Sequence, residues 1–191
     1  MPRIIAGSLG GRTIPGPPGK GTRPTSDRVR EAVFSRLDGW DAIAGARVLD
    51  LYAGTGALAL EALSRGAAEA LLVEAHAPTA AALRRTSTDL GLGPRCEIRS
   101  GKAEQVAAQL APTHGWGLVF LDPPYAVTTD ALEELLSVLR PALAEDAVVV
   151  IERSRRSPAI TWPAGFLDDG TKTYGDTVVH YGGPGTPQEN S

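Results

Sequence analysis

Apolar residues follow two spacings along this chain. Short runs of aliphatic and β-branched residues read as strands, and stretches with apolar residues three and four apart read as helices. From residue 47 the two alternate five times. Strands are expected at 47–52, 70–74, 95–99, 117–121 and 147–151, and helices at 57–65, 78–90, 103–110 and 129–139. The run Gly117-Leu118-Val119-Phe120-Leu121 is apolar throughout, as suits a strand covered on both faces. Two further strands, 166–174 and 177–181, meet at Gly175-Asp176 and read as a terminal hairpin. Alternating strand and helix implies a parallel sheet with helices on both faces, an α/β fold.

Upstream of residue 47 the pattern differs. Two short apolar pieces, around Ile4-Ile5 and Ile14, flank Gly7-Ser8-Leu9-Gly10-Gly11 and predict a hairpin. Residues 15–24 are a glycine- and proline-rich loop. Thr25 or Ser26 can cap a helix reaching about Leu37, with Val29, Ala32, Val33 and Leu37 on its apolar face. Arg28, Arg30, Glu31 and Arg36 are expected off that face. Arg28 lies near the helix start, where a cation opposes the macrodipole at a cost of up to about 1 kcal/mol. An anionic partner, or a neighbour such as Asp27, is therefore expected for it. The division expected is a basic N-terminal extension (1–25), one domain (26–182) and a disordered tail (183–191).

Chemistry concentrates where strands end. After the first strand comes Asp50-Leu51-Tyr52-Ala53-Gly54-Thr55-Gly56, then a helix. Glycines at 54 and 56 let the backbone turn sharply and approach a ligand. The free N–H groups of the helix behind them suit a polar or anionic ligand. Gly54-x-Gly56-x-x-Ala59 also fits a dinucleotide fingerprint, but Asp50 would repel a pyrophosphate. A ligand with a cationic amino-acid end and a sugar, such as S-adenosylmethionine, would tolerate it. Glu74, ending the second strand, can accept both hydroxyls of a ribose. It does not separate S-adenosylmethionine from NAD, since both contain that ribose.

Asp122-Pro123-Pro124-Tyr125 directly follows the fourth strand. A base amine is a poor nucleophile because its lone pair is delocalised into the ring. A carboxylate and the Pro123 carbonyl can both accept its N–H groups and orient the nitrogen; Tyr125 can stack on an extruded base. Asp122 is placed in both the catalytic and the cofactor-binding set.

The net charge of −3 conceals an asymmetry. Residues 1–36 carry a balance of +5 and the rest −8, so polyanion contact is expected from the basic end, through Arg3, Arg12, Lys20 and Arg28. Cys96 is single and reads as a buried thiol. His76, His114 and His180 lack metal spacing, so no metal is expected. No apolar run suggests a membrane span, and a cytoplasmic protein is expected.

These motifs carry a resemblance. Asp-x-x-x-Gly-x-Gly at 50–56 resembles the first motif of S-adenosylmethionine-dependent methyltransferases. Asp122–Tyr125 resembles the Asp/Asn-Pro-Pro-Tyr/Phe motif of those acting on exocyclic or amide nitrogens. Together with residues 3–12 and with Thr22-Arg-Pro-Thr-Ser-Asp-Arg-Val-Arg-Glu31, they look like the bacterial 16S ribosomal RNA guanine-N2 methyltransferase family (RsmD-like). The resemblance implies a Rossmann-like seven-stranded methyltransferase sheet. It implies S-adenosylmethionine as cofactor, becoming S-adenosylhomocysteine, and methyl transfer to one guanine N2 of 16S rRNA in the 30S subunit or a late precursor. Arg23 and Thr25 would lie near the cofactor, with Asp50, Tyr52, Ala53, Gly54, Gly56 and Glu74 contacting it. Such enzymes often place Asp or Asn after the third strand to bond the adenine; here Lys102 has no acceptor, leaving the backbone of Lys102 or Ala103. A monomer is expected. The alternatives are an N6-adenine methyltransferase on DNA or RNA, a dinucleotide-dependent oxidoreductase, and a binding protein without catalysis.

Overall fold

A computed structural model of the chain describes residues 1–16 and 26–185. The expected contacts of Lys20, Arg23 and Thr25, and the tail beyond residue 185, lie outside the described residues. One seven-stranded sheet runs through the molecule. Its strands are β1 (Arg47–Asp50), β2 (Glu69–Glu74), β3 (Cys96–Ser100), β4 (Trp116–Leu121), β5 (Leu143–Ser154), β6 (Phe166–Tyr174) and β7 (Thr177–Pro184). They lie in the order β3-β2-β1-β4-β5-β7-β6. Only β7 runs against the others, pairing antiparallel with both β5 and β6. The α/β class and the seven-stranded sheet read from sequence are those observed.

Helices cover both faces. On one side lie α1 (Asp27–Gly39), α2 (Ala57–Ser64) and α3 (Ala77–Asp89), packed over Val48, Leu72, Leu118, Phe120 and Val150. On the other, α4 (Ala103–Ala107) and α5 (Thr129–Leu139) pack over Leu49, Leu71, Val119, Val149 and Ile151. Neighbouring strand residues thus serve opposite cores, which explains the unbroken apolar run of β4. α5 matches its expected span because Thr128 caps Ala131 N–H at 3.2 Å and Pro141 cannot continue the helix.

Three local expectations are corrected. First, residues 2–14 do not hang off the domain. They form a narrow hairpin with a single antiparallel bridge, Arg3 to Thr13, whose Ile4 and Ile14 are fully buried in the α1–α2–α3 core. Glu61 of α2, itself fully buried, accepts Ile5 N–H at 2.6 Å, Ala6 N–H at 3.1 Å and Arg65 Nε at 2.7 Å. Ser64 accepts Leu9 N–H and donates to the Ala6 carbonyl. The packing boundary is therefore not at residue 25.

Second, Arg30 is not on the solvent side of α1. It is fully buried and donates to the Arg3 carbonyl at 2.7 Å and to Asp27 Oδ1 at 2.5 Å. Asp27 thus serves Arg30, leaving Arg28 exposed without that partner. An apolar-face count misses such a residue because the guanidinium follows the hairpin, a long-range contact. Third, β7 continues through Gly182 and Gly183 to Pro184, into the stretch expected to be disordered. A Cβ on Gly183 would stand 2.1 Å from the Ala147 carbonyl oxygen, so glycine here admits a close backbone approach. β5 is also longer than its apolar run, because Leu143 pairs with Trp116 at one end and Ser154 with Thr177 at the other. Cys96 is free and buried, as expected. No helix among the described residues is long and apolar enough to cross a membrane.

Glu61→Ala removes the acceptor for two backbone N–H groups and one of the two carboxylates that pair with Arg65. Leaving buried donors unpaired costs about 1–3 kcal/mol each, so urea unfolding should report a loss of about 2–5 kcal/mol. The Ile5 and Ala6 amides should then exchange with solvent much faster than those of β4. A loss below about 0.5 kcal/mol with unchanged exchange would show that Glu61 does not anchor the hairpin.

Candidate functional site

The chain builds β1, β2 and β3 outward in one direction, then returns to place β4 on the other side of β1. Connections leaving β1 and β4 diverge, and a crevice opens at their carboxyl ends, where open α/β sheets bind ligands. The Asp50–Gly56 turn follows β1, and Asp122–Tyr125 follows β4. Asp50 and Phe120 are register partners, so the two motifs leave the sheet side by side. Glu74 ends β2 beside Ser100, the last residue of β3, and Lys102 and Ala103 begin α4 just beyond. Nearly all the described residues expected in a ligand site therefore meet at one end of the sheet.

The glycine turn needs its glycines. Gly54 has φ +53° and Gly56 φ +77°, both left-handed; a Cβ on Gly56 would also stand 2.5 Å from Leu83 Cδ1. Around Gly54 the space is open. Its N–H donates to Glu74 Oε2 at 2.9 Å, while His76 N–H donates to Glu74 Oε1 at 2.7 Å. Glu74 is thus held by two backbone donors, one on each oxygen. An ionised carboxylate has about four acceptor positions, so two remain for a ligand's hydroxyls. His76 and Thr79, bonded to each other at 2.7 Å, complete this support. No isolated sequence signal marked them.

Asp50 sits beneath the turn rather than on its open side. It is 1% exposed, and its Oδ1 meets no hydrogen-bond partner. Burial is the main reason its pKa rises from 3.8 to about 7; the Glu74 charge adds to the rise, while backbone N–H groups of Tyr52 and Ala59 oppose it. Its carboxyl thus lies against the backbone of the turn, at the N–H groups of Tyr52 and Ala59. Tyr52 is half-buried beside Arg153, with its phenol pushed up to about 12, chiefly by burial.

The Asp122–Tyr125 loop is graded from inside to out: Asp122 half-buried, Pro123 buried, Pro124 exposed and Tyr125 72% exposed. Val127 N–H returns to the Pro124 carbonyl at 3.0 Å, closing the loop. Arg153 of β5 donates to the Val127 carbonyl at 3.0 Å from a site only 7% exposed. The candidate list omitted Arg153. Its signal was present in the sequence as a cluster, Glu152-Arg153-Ser154-Arg155-Arg156, at the end of a buried strand.

The basic residues divide. Arg3 is exposed, with its carbonyl held by Arg30. Arg12 reaches the Asp89 carbonyl at 3.4 Å, at the far end of α3 and away from the carboxyl ends of the strands. Arg28, in the first turn of α1, is exposed. A cleft of about 570 Å³ opens at the opposite end of the strands, between Arg47, Glu69, Arg95, Cys96, His114 and Trp116. Its charges are largely matched: Arg47 pairs with Glu69 at 2.7 Å and donates to the His114 carbonyl. Size alone would put the site there; the motif residues put it at the other end. Among the described residues no group of three or more His, Cys, Asp or Glu could hold a metal ion.

Known proteins share this arrangement. The family described as Conserved hypothetical protein 95 matches residues 2–183. Ribosomal RNA small subunit methyltransferase D of Escherichia coli is 37% identical over 166 residues, covering 86% of this chain and 80% of the relative. The solved structure of Escherichia coli yhhF superposes with a TM-score of 0.80 at 33% identity, covering 95% of this chain and 97% of that one. A more distant solved structure, an RNA methyltransferase from Salinibacter ruber in complex with S-adenosyl-L-homocysteine, shares the fold with a TM-score of 0.64 at 18% identity, over 88% and 98% of the two chains. The sheet is the Rossmann-like methyltransferase sheet.

The raised pKa of Asp50 has a stability consequence. Between about pH 4 and 7 the folded chain holds a proton that the unfolded chain releases, so stability falls as pH rises through that window. Asp50→Asn removes the effect while keeping an acceptor for the turn. Urea unfolding of the ligand-free protein should find the variant more stable than wild type at pH 8, by up to a few kcal/mol, and the difference should shrink at pH 5. Equal pH dependence of the two proteins would contradict the buried, proton-binding Asp50.

Proposed function

The chain belongs to the family described as Conserved hypothetical protein 95, and from that premise we propose that it transfers a methyl group from S-adenosylmethionine to the exocyclic N2 of a guanine in small-subunit ribosomal RNA. The observation that carries the proposal is the adjacency of the Asp50–Gly56 turn and the Asp122–Tyr125 loop across β1 and β4. The residues fit such a cofactor. Glu74, fixed by the N–H groups of Gly54 and His76, offers its remaining acceptor positions to the ribose hydroxyls. The open face of Gly54 admits the ligand close to the backbone. The backbone N–H groups of Lys102 and Ala103, at the start of α4, are proposed to meet the adenine. Arg23 and Thr25 are proposed near the cofactor from the family resemblance alone.

When bound, S-adenosylmethionine supplies an electrophilic methyl on a sulfonium. The chain's part is to orient the amine. Asp122 and the Pro123 carbonyl accept the amine N–H groups, aiming the nitrogen lone pair across the crevice. Such positioning is worth up to about 7–11 kcal/mol in the best cases. Asp122 need not be a strong base, because the N–H becomes acidic as the methyl transfers. Tyr125, standing out from the loop, stacks on the base lifted from the RNA. Arg153 acts one step back: it fixes the Val127 carbonyl and so the end of the loop. The choice of guanine over adenine rests on the family resemblance alone, since Asp-Pro-Pro-Tyr suits either amine. The proposed substrate form is the 30S particle or a late precursor, and the proposed compartment is the cytoplasm.

Single-turnover transfer of labelled methyl to small-subunit particles tests this reading. Asp122→Ala should slow transfer by about a hundredfold or more, while S-adenosylhomocysteine affinity changes little. Glu74→Ala should instead weaken S-adenosylhomocysteine binding by about a hundredfold or more, from two charge-assisted hydrogen bonds at about 1.5–3 kcal/mol each. A near-normal rate in Asp122→Ala would remove the orienting role of the carboxylate. Tighter binding of NAD than of S-adenosylhomocysteine would overturn the cofactor.

A further inference from the structure

A net charge of −8 outside residues 1–36 suggests a body that repels RNA, leaving binding to the N-terminal residues. The placement of those charges argues otherwise. β5 begins with Glu145 and Asp146 and ends with Arg153 and Ser154, followed at once by Arg155 and Arg156. At about 3.3 Å per residue, roughly 30 Å separates Asp146 from Arg155. That is several times the screening length of about 8 Å at physiological salt. The acids stand at the end of the strand away from the crevice, and the arginines at the crevice end.

The arginine end is beside the proposed catalytic loop. β4 and β5 are parallel, with Leu121 opposite Ile151, so the Asp122–Tyr125 loop leaves the sheet on the same side as the end of β5, which runs three residues further to Ser154 before Arg155 and Arg156. The segment carrying the arginines is braced. Arg155 N–H donates to the Asp176 carbonyl at 2.8 Å in the β6–β7 turn, Arg156 N–H to Ser154 Oγ at 3.2 Å, and Ser157 N–H to the Ser154 carbonyl at 2.9 Å. Thr129 Oγ1, at the start of α5, donates to the Pro158 carbonyl at 3.4 Å. Both guanidinium groups are exposed, and among the described residues neither makes a hydrogen bond or ion pair. Asp130 and Asp176, acids of the adjoining elements, are exposed too and pair with neither. Two cations on a fixed frame, without a partner in the protein, suit an external anion.

We propose that Arg155 and Arg156 grip phosphates of the RNA flanking the base held at Asp122 and Tyr125, making the β5 end a second arm of the RNA-binding surface. This rests on the methyl-transfer reading of the site. A base lifted onto Tyr125 keeps its own two phosphates within one nucleotide's length, and the β5 loop is the neighbouring braced segment on that side. Arg12, by contrast, lies beside the far end of α3.

The test compares wild type, Arg155→Ala/Arg156→Ala and Arg155→Lys/Arg156→Lys on purified 30S particles. Two lost phosphate contacts should flatten the slope of log affinity against log salt by about 1.4–1.8 units. Equivalently, the gap between wild type and the alanine variant should widen about tenfold when salt is lowered fourfold. KM for 30S should rise with kcat near wild type, S-adenosylhomocysteine affinity should hold, and the lysine variant should recover most of the slope. A wild-type slope and KM in the alanine variant, or a fall confined to kcat, would overturn the RNA contact and leave the methyl-transfer reading standing. Failure of the wild type itself to transfer methyl to 30S RNA would overturn that reading, and this inference with it.

Discussion

The strand order reverses between β1 and β4, and every functional placement in this molecule depends on that reversal. Two parallel strands pair closely enough to bring Asp50 level with Phe120, while their connections depart to opposite faces. No helix can then cover the gap above them. The glycine turn occupies one lip and the Asp-Pro-Pro-Tyr loop the other. The register thus sets a ligand bound over the turn beside a base held at the loop. Neighbouring strands extend the same logic: β2 brings Glu74, β3 leads into Lys102 and Ala103, and β5 delivers three arginines.

Buried charge ties the layers together. Glu61 fastens the N-terminal hairpin to α2, Arg30 fastens the same hairpin to α1, and Arg153 fastens the Val127 end of the catalytic loop to β5. Each lies on one element and reaches backbone groups of another. Such groups are costly to desolvate and destructive to remove, so they specify where a segment docks more than they add net stability. Asp50 differs. It is buried beneath the turn with one oxygen unpartnered and a pKa raised to about 7, so holding the charged form there costs stability at neutral pH. A tight turn shaped for a ligand is a reasonable place to find that cost.

Much of the fold was legible because the central strands are nearly pure apolar runs and α1, α3 and α5 open on a capping residue or a proline; α5 and β6 match their expected spans. The Rossmann-like strand order was not legible from periodicity; it came with the resemblance. The site motifs were readable because glycine and proline leave local signatures at the ends of strands. What escaped depended on long-range contacts. Arg30 looked solvent-facing because its burial comes from Asp27 and a hairpin 27 residues upstream. The hairpin looked detached because its anchor, Glu61, is a carboxylate in a helix. The depth of Asp50 escaped too, because spacing gives position along the chain and not burial. The net charge hides placement because it averages over a strand long enough to hold both signs apart.

The account turns on which atom receives the methyl group. The direct measurement is mass mapping of modified nucleosides in small-subunit RNA after incubation of 30S particles with labelled S-adenosylmethionine and the full chain. The account predicts label in N2-methylguanosine at a single position. Label in N6-methyladenosine would contradict the guanine assignment while keeping the crevice and its chemistry, and label in neither would contradict methyl transfer to this RNA altogether.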